Sequence, residues 1–245
     1  MNYIVFDLEF NQANNKFEIN PKLPFEIIQL GAIVFDEKFN ILNTVDSLIK
    51  PEVYTSLNPY VENLTGISYD ELSIAKSFKE VFRELMSIFN DESILCVWGV
   101  SDIKELYRNS TYYNLNTDLL PTSYINVQRQ VSKHLKLGRG INLGLNSAVE
   151  IFDIPTANNF HNAFNDAFYT LEVFKKIYSD KLTPKKYIFN NIPKRIPSNK
   201  TILDKIALFN QFEKMFEKEL TLEEKSMIEL AYKMGKTNQF QIHSS

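Results

Sequence analysis

The first ten residues contain the feature that most constrains this chain, an apolar strand that leads directly into two acids. Residues 3–6 are typical of a short buried strand, and Asp7 and Glu9 follow at once. Because side chains alternate along a strand, both acids point to the same side. Two such carboxylates repel each other and lose hydration, and a divalent cation such as Mg²⁺ relieves both costs. An equally simple interpretation is that the strand ends at Phe6 and that both acids are solvated.

Composition and charge exclude several classes of protein. The 245 residues are 44% hydrophobic and 23% charged, which predicts one large domain or a domain with a small appendage. The formal net charge of −3 gives no global attraction for nucleic acid, so binding would need a local basic face or bound metal. The single cysteine, Cys96, lies in an apolar run and predicts a buried structural thiol in a reducing compartment. No secretory signal or membrane-spanning run is visible, so a cytoplasmic location is expected.

The hydrophobic pattern predicts an α/β fold with a mixed five-stranded sheet. Two apolar runs, 25–35 and 41–49, are joined by a short turn and predict an antiparallel hairpin. A capping box at Ser77 and Glu80 opens a helix with an apolar stripe. Strands are also expected at 3–6, 93–98 and 124–127, and helices from Ser101, through Val131, from Asn142 and over 160–178. This alternation of strands and helices favours a sheet flanked by helices.

The composition changes after Tyr178. Residues 183–200 are basic and contain prolines, which predicts a linker or an arm that wraps the domain. Two helices are expected within 201–240, the second opened by a capping box at Thr221 and Glu224. We therefore predict a main domain over 1–182, a basic linker over 183–200 and a helical extension over 201–240.

Three further residues are candidates for chemistry. Asp102 follows the fourth predicted strand at its carboxyl end, where open α/β sheets bind ligands, although an aspartate there can also cap a helix. Asp166 lies on an otherwise apolar helix face, where a carboxylate is costly without a partner. His161 is one of three histidines and is expected in the turn before that helix. A histidine at such a place is more often a packing or surface residue.

Taken together in chain order, these residues resemble the DEDD 3′–5′ exonucleases. The resemblance is to the branch with histidine in its last motif, which includes ribonuclease T and the proofreading subunit of DNA polymerase III. Asp7 and Glu9 match the first motif, Asp102 the second, and His161 and Asp166 the H-x₄-D-A spacing of the third. Residues 26–32 look like the second strand of the family, and residues 58–67 look like its substrate-contacting loop. The resemblance covers roughly residues 1–180, and residues 98–104 are most similar to the KapD-type group.

The resemblance implies a ribonuclease H-like fold and a two-metal hydrolysis. Asp7, Glu9, Asp102 and Asp166 would hold two Mg²⁺ or Mn²⁺ ions about 3.5–4 Å apart, and His161 would act as the general base. The implied activity is the removal of nucleoside 5′-monophosphates from the 3′ end of single-stranded nucleic acid. No clamp-binding or polymerase-binding signal is visible in the sequence, so RNA is favoured over DNA.

The resemblance also implies a set of substrate-binding residues. Besides His161, these are Thr65 for the terminal sugar and Leu64 or Phe10 for stacking against the last base. For Phe10, plain core packing explains the residue equally well.

Two other functions are compatible with the same residues. One is DNA proofreading, which uses the same chemistry. The other is a non-catalytic ribonuclease H-like module that binds nucleic acid or an unknown protein through its C-terminal helices. The presence of all five acid and histidine side chains favours the enzyme.

Overall fold

The computed structural model describes residues 2–90, 92–138, 140–179, 182–189 and 204–236. The chain divides into two compact units, Met1–Asn190 and Asn191–Ser245. The predicted boundaries at 182, 200 and 240 stay a prediction, and most of the predicted basic linker, residues 190–200, lies outside the described residues.

The first unit is built on a mixed six-stranded sheet with the order β3-β2-β1-β4-β5-β6. Strand β1 pairs antiparallel with β2 and parallel with β4, so it lies near the middle of the sheet. The hairpin of β2 and β3 is antiparallel, as predicted, and β4 and β5 are parallel. The strands are β1 Asn2–Asn11, β2 Glu26–Phe35, β3 Ile41–Leu48, β4 Ser93–Val97, β5 Ser123–Asn126 and β6 Lys185–Lys186.

The α/β class and the mixed sheet are confirmed, but the number of strands was predicted one too low. The sixth strand is a pair of exposed lysines from the predicted linker, with no alternating apolar pattern to reveal it. It forms because its backbone pairs with the edge of β5, where Tyr187 N–H donates to Thr122 O at 2.7 Å. The ring of Phe189 also stacks on Tyr107, with centroids 5.1 Å apart.

The helices of the first unit flank the sheet. Capping boxes open α2 at Ser68 and α3 at Ser77, of which only the second was predicted. A short 3₁₀ helix spans Thr117–Leu119. The α-helices are α1 Pro59–Thr65, α2 Tyr69–Ser73, α3 Phe78–Ile88, α4 Ser101–Tyr112, α5 Val127–His134, α6 Leu145–Ile151 and α7 Ala163–Ile177.

Two hydrophobic cores cover the two faces of the sheet. The β1 side chains of Ile4, Phe6 and Leu8 belong to the core that contains α3 and α4. Tyr3 and Val5 belong to the opposite core, which contains α5, α6, α7 and the buried thiol of Cys96. The alternation of β1 therefore directs its next odd-numbered residues, the two acids, toward the face covered by α7.

The second unit contains the two predicted helices. These are α8 Lys205–Phe216 and α9 Leu222–Lys236. Glu224 accepts from Thr221 N–H at 2.9 Å, which confirms the second predicted capping box. Lys205 and Glu229 join the two helices through an ion pair of 2.8 Å. No helix in the parts of the chain that the structure describes is long and apolar enough to cross a lipid bilayer.

Candidate active site

The register of the central hairpin places small and polar residues beside the two acids of β1. Asp7 lies opposite Gly31, and Glu9 lies opposite Gln29. Residues directly opposite in an antiparallel pair lie on the same face, so β2 presents a glycine and an amide next to the carboxylates. The register shifts immediately afterwards, between Glu9 and Phe10, and such an irregularity changes the direction of the following side chain.

Gly31 allows helix α7 to approach the sheet at this point. A Cβ atom at Gly31 would overlap the backbone of Ala163 and Phe164, the first two residues of α7. Any side chain here would therefore push the start of the helix away from β2. Since Asp166 lies within the first turn of α7, Gly31 determines how closely this carboxylate approaches those of β1.

Gln29 holds the same helix by its side chain. Its Oε1 accepts from Ala163 N–H at 3.1 Å, and its Nε2 donates to Asp46 Oδ1 at 3.1 Å. The amide is buried, so its orientation is set by these two partners. The sequence analysis missed the roles of Gly31 and Gln29. Their signal was a glycine and a polar residue within a strand that is otherwise apolar.

His161 lies in the turn before α7, as predicted. Its backbone is in the left-handed region with φ 63°, and its backbone N–H donates to Asp166 Oδ2 at 3.2 Å. Asn162 then caps the helix by accepting from Asn165 N–H at 3.2 Å. A ring nitrogen of the exposed His161 and carboxylate oxygens of Glu9 and Asp166 lie within 4.8 Å of one another.

Asp102 lies in the first turn of α4 and is only 8% exposed. The capping position of this helix belongs to Val100 and carries no side-chain hydrogen bond, so the interpretation of Asp102 as a helix cap is wrong. The charge of Asp102 instead acts on the acids of β1, since it raises the pKa of both Asp7 and Glu9. Three separate elements, β1, α4 and α7, thus bring four carboxylates together.

Burial raises the pKa values of all four acids, and repulsion between carboxylates adds to it for Asp7, Glu9 and Asp102. Burial is the larger cause for Asp7, whose pKa lies well above its usual range, with the charges of Asp102, Asp166 and Glu9 adding to it. Burial and the charges of Asp166 and Asp102 raise the pKa of Glu9 to about 8. Burial raises the pKa of Asp102 to about 7 and that of Asp166 to about 6, the latter opposed by the hydrogen bond from His161. Full ionisation of the cluster is therefore costly without a nearby positive charge.

The residues of this cluster fit a divalent cation. Asp166 Oδ1 is buried and has no hydrogen-bond partner within the described residues. No lysine or arginine in the described ranges forms an ion pair with any of the four carboxylates. Carboxylate oxygens are the ligands that Mg²⁺ and Mn²⁺ prefer, and a cation would both satisfy the unpaired oxygen and offset the repulsion.

The predicted substrate-binding residues lie on β1 and α1. Phe10 is partly buried against the core and contacts the ring of Phe25 edge to face, with centroids 6.3 Å apart. Leu64 is exposed at the end of α1. The Thr65 hydroxyl donates to Val61 O at 2.9 Å, so this side chain already has a partner. The roles of Phe10, Leu64 and Thr65 in substrate binding stay predictions.

Two asparagines attach α1 to the end of β1, and the sequence analysis did not find them. Asn11 Nδ2 donates to the carbonyls of Tyr54 and Ser56, each at 3.0 Å, and its Oδ1 accepts from Asn58 N–H at 3.0 Å. Asn58 caps α1 and donates to Ala13 O at 3.1 Å. Helix α1 is therefore fixed to the strand that carries the acids, just beyond Glu9.

A protein-family model described as an exonuclease matches residues 4–174, which include all of these acids and His161. The chain belongs to this exonuclease family. The predicted membership of the DEDD 3′–5′ exonuclease superfamily is confirmed, and the chain is an enzyme rather than a non-catalytic module. The predicted closeness to the KapD-type group stays a prediction.

Solved structures with the same fold include several nucleases. The nuclease domain of 3′hExo, a DEDDh family member bound to rAMP, is 18% identical with a TM-score of 0.65, over 76% of this chain and 97% of that one. E. coli Exonuclease I in complex with a dT13 oligonucleotide is 19% identical with a TM-score of 0.56, over 72% and 40%. The Mg²⁺- and Mn²⁺-bound form of S. pombe Pop2p is 16% identical with a TM-score of 0.56, over 73% and 83%. No curated protein matches the chain.

Substituting Gly31→Ala should remove activity by displacing α7. The added methyl group overlaps helix backbone that cannot rotate away, and overpacking of this kind typically costs about 1–3 kcal/mol. The control is Ala32→Gly, which changes the neighbouring residue on the opposite face. We expect both variants to melt below wild type, but only Gly31→Ala to lose most nuclease activity and Mn²⁺ affinity at a temperature where both are folded. Full activity in Gly31→Ala would contradict the close-approach argument.

The metal-free protein should be destabilised at high pH by its own acids. Because the folded-state pKa of Glu9 is raised to about 8, this group contributes stability that is lost as pH rises from about 4.5 toward 8. In EDTA, Glu9→Gln should therefore melt above wild type at pH 8, and the difference should shrink toward pH 5.

Differential scanning calorimetry measures this difference, and each kcal/mol corresponds to about 2–4 °C for a domain of this size. The control Glu62→Gln, at an exposed position of α1, should not move the melting temperature. Adding Mn²⁺ should stabilise wild type more than Glu9→Gln. A Glu9→Gln variant less stable than wild type at pH 8 in EDTA would show that the repulsion is not significant.

Proposed function

We propose that this protein is a metal-dependent 3′–5′ exonuclease that removes nucleoside 5′-monophosphates from the 3′ end of single-stranded nucleic acid, with RNA favoured over DNA. The observation that carries this proposal is the convergence of Glu9, His161 and Asp166, whose ligand atoms lie within 4.8 Å of one another. Asp7 and Asp102 complete the set, since both interact electrostatically with the other acids. Four carboxylates can hold two divalent metal ions and an imidazole can act as a general base, which together suit hydrolysis of a phosphodiester.

In this proposal the four carboxylates hold two Mg²⁺ or Mn²⁺ ions. When bound, the ions activate a water molecule and stabilise the charge that develops on the phosphate and the leaving oxygen. Asp7 and Glu9 come from one rigid strand, while Asp102 and Asp166 each lie in the first turn of a helix. The positive ends of those two helix dipoles therefore point toward the acids and partly offset their repulsion.

His161 would move the proton. Its side chain is exposed beside the acid cluster, where water reaches it, while its backbone is tied to Asp166. A neutral imidazole can accept a proton from the attacking water, and one oxygen of Asp166 remains available for a cation. His161 and Asp166 thus have separable roles although they lie in one turn.

The acid cluster itself does not determine which sugar the substrate carries. The structure of 3′hExo contains rAMP and that of Exonuclease I contains dT13, so proteins with this fold bind ribose and deoxyribose alike. We rank RNA first because the sequence shows no clamp-binding or polymerase-binding signal, and we retain DNA proofreading as the alternative. Leu64 and Thr65 would face the terminal nucleotide, since α1 is fixed to the end of β1.

A direct comparison of oligonucleotides tests polarity and sugar preference. Matched single-stranded RNA and DNA of one sequence, labelled at the 5′ end, should shorten one nucleotide at a time, RNA faster, and release nucleoside 5′-monophosphates. A 3′-phosphate or a circular strand should resist cleavage, and EDTA should abolish activity reversibly. Rapid cutting of the circle would contradict exonuclease action, and faster digestion of DNA would favour the proofreading alternative.

Two substitutions separate the proposed base from a metal ligand. His161→Ala should lower the turnover number by about 10²–10⁴, the usual contribution of a general base, and leave Mn²⁺ affinity unchanged. Asp166→Asn should weaken Mn²⁺ binding, so high Mn²⁺ should partly restore its activity but not that of His161→Ala. His134→Ala, which changes an exposed histidine of α5, is the control. Near-normal turnover of His161→Ala between pH 6 and 9 would show that His161 is not the base.

A further inference from the structure

A polar groove of about 700 Å³ lies next to the second catalytic motif. Gly99, Val100 and Ser101 form one wall, so the groove reaches the residue immediately before Asp102. The opposite wall comes from α5 and from the loop that follows it. Its volume lies within the range of pockets that hold ligands, about 300–1,000 Å³.

The charge of this groove is opposite to that of the carboxylate cluster. Its lining includes Arg129 and Lys133, and no acid among the described residues. These two side chains are spaced i, i+4 on α5 and so lie on one side of the helix, while Val127 and Val131 face the core. Both are exposed, and neither forms an ion pair with any acid in the described ranges.

The shape of the groove is maintained by buried or partly buried polar groups. Gln128 Nε2 donates to Leu143 O at 2.7 Å, and Trp98 Nε1 donates to the same carbonyl at 3.3 Å. These bonds tie the loop after α5 to α5 itself and to the end of β4, and so fix the position of the loop that lines the groove. The indole of Trp98 therefore packs against the core and also helps to position the loop that lines the groove.

We propose that this groove binds backbone phosphates of the substrate strand upstream of the 3′ end that enters the carboxylate cluster. The inference rests on the proposed nuclease function. A protein with a net charge of −3 needs a local positive surface to hold a polyanion, and Arg129 and Lys133 provide one in a groove that extends to Ser101, the residue before Asp102. Contacts to phosphates carry no base information, so the groove sets affinity and register rather than sequence preference.

The test is the double substitution Arg129→Gln, Lys133→Gln. Its matched control is Lys79→Gln, Arg83→Gln, which removes the same charge at the same spacing from exposed positions of α3, on the other face of the sheet. Binding of a fluorescent 20-nucleotide single strand is measured by anisotropy in EDTA at several salt concentrations. Hydrolysis of the same strand is compared with that of a nucleoside 5′-monophosphate p-nitrophenyl ester, which is too short to reach the groove.

We expect the groove variant to bind the oligonucleotide about tenfold more weakly, with a salt slope lower by about 1.4, which is about 0.7 for each lost phosphate contact on a single strand. Its KM for the oligonucleotide should rise, while hydrolysis of the small ester stays at the wild-type rate. The control should match wild type in every assay.

The outcomes separate this inference from the proposed function. The groove is not a phosphate site if the groove variant binds with unchanged affinity and salt slope, or if the control variant changes equally. This conclusion holds even if the enzyme hydrolyses both substrates, in which case the nuclease function stands alone. If wild type hydrolyses neither substrate but the groove variant alone loses binding, the nuclease function fails and the phosphate site stands.

Discussion

The repulsion among four carboxylates is the constraint on which this structure depends. Like charges on flexible segments would simply move apart, so the fold must hold them in place. Side chains of β1 are buried in both cores, and the helices that carry Asp102 and Asp166 are packed against opposite faces of the sheet. Movement of either acid away from the cluster would require a helix to leave its core. A bound cation would therefore offset both the burial and the repulsion of these carboxylates.

The tightest contact that holds the acids in place is the one between β2 and the start of α7. Gly31 removes the side chain that would separate them, and Gln29 provides the hydrogen bond that joins them. The positive end of the α7 dipole also points toward the acids. The close approach of the helix therefore stabilises their negative charge, and it is possible only because residue 31 has no side chain. A residue that never touches substrate can therefore control the geometry of those that do.

Local patterns predicted much of this molecule. Apolar runs located the five main strands. Asp7 and Asp166 became candidates because each interrupts a hydrophobic pattern, and Asp102 because it follows a strand at its carboxyl end. What could not be predicted depends on partners distant in sequence. Strand β6 exists only because an edge of β5 is available, and the amide of Gln29 has a role only where α7 meets β2. The sequence offered no sign that Arg129 and Lys133 share a groove with Ser101, because that proximity arises only in the fold.

The distribution of charge in the first unit also explains how an acidic protein can hold a polyanion. Without cations the carboxylate cluster offers no positive charge to a phosphate, whereas the groove beside it contains Arg129 and Lys133. Two divalent ions would offset the four negative charges of the ionised cluster, so that it would no longer repel a phosphate. Cations and substrate should then favour each other's binding, because each reduces the electrostatic cost of the other. In the proposed mechanism the metal ions would contribute to substrate affinity as well as to hydrolysis.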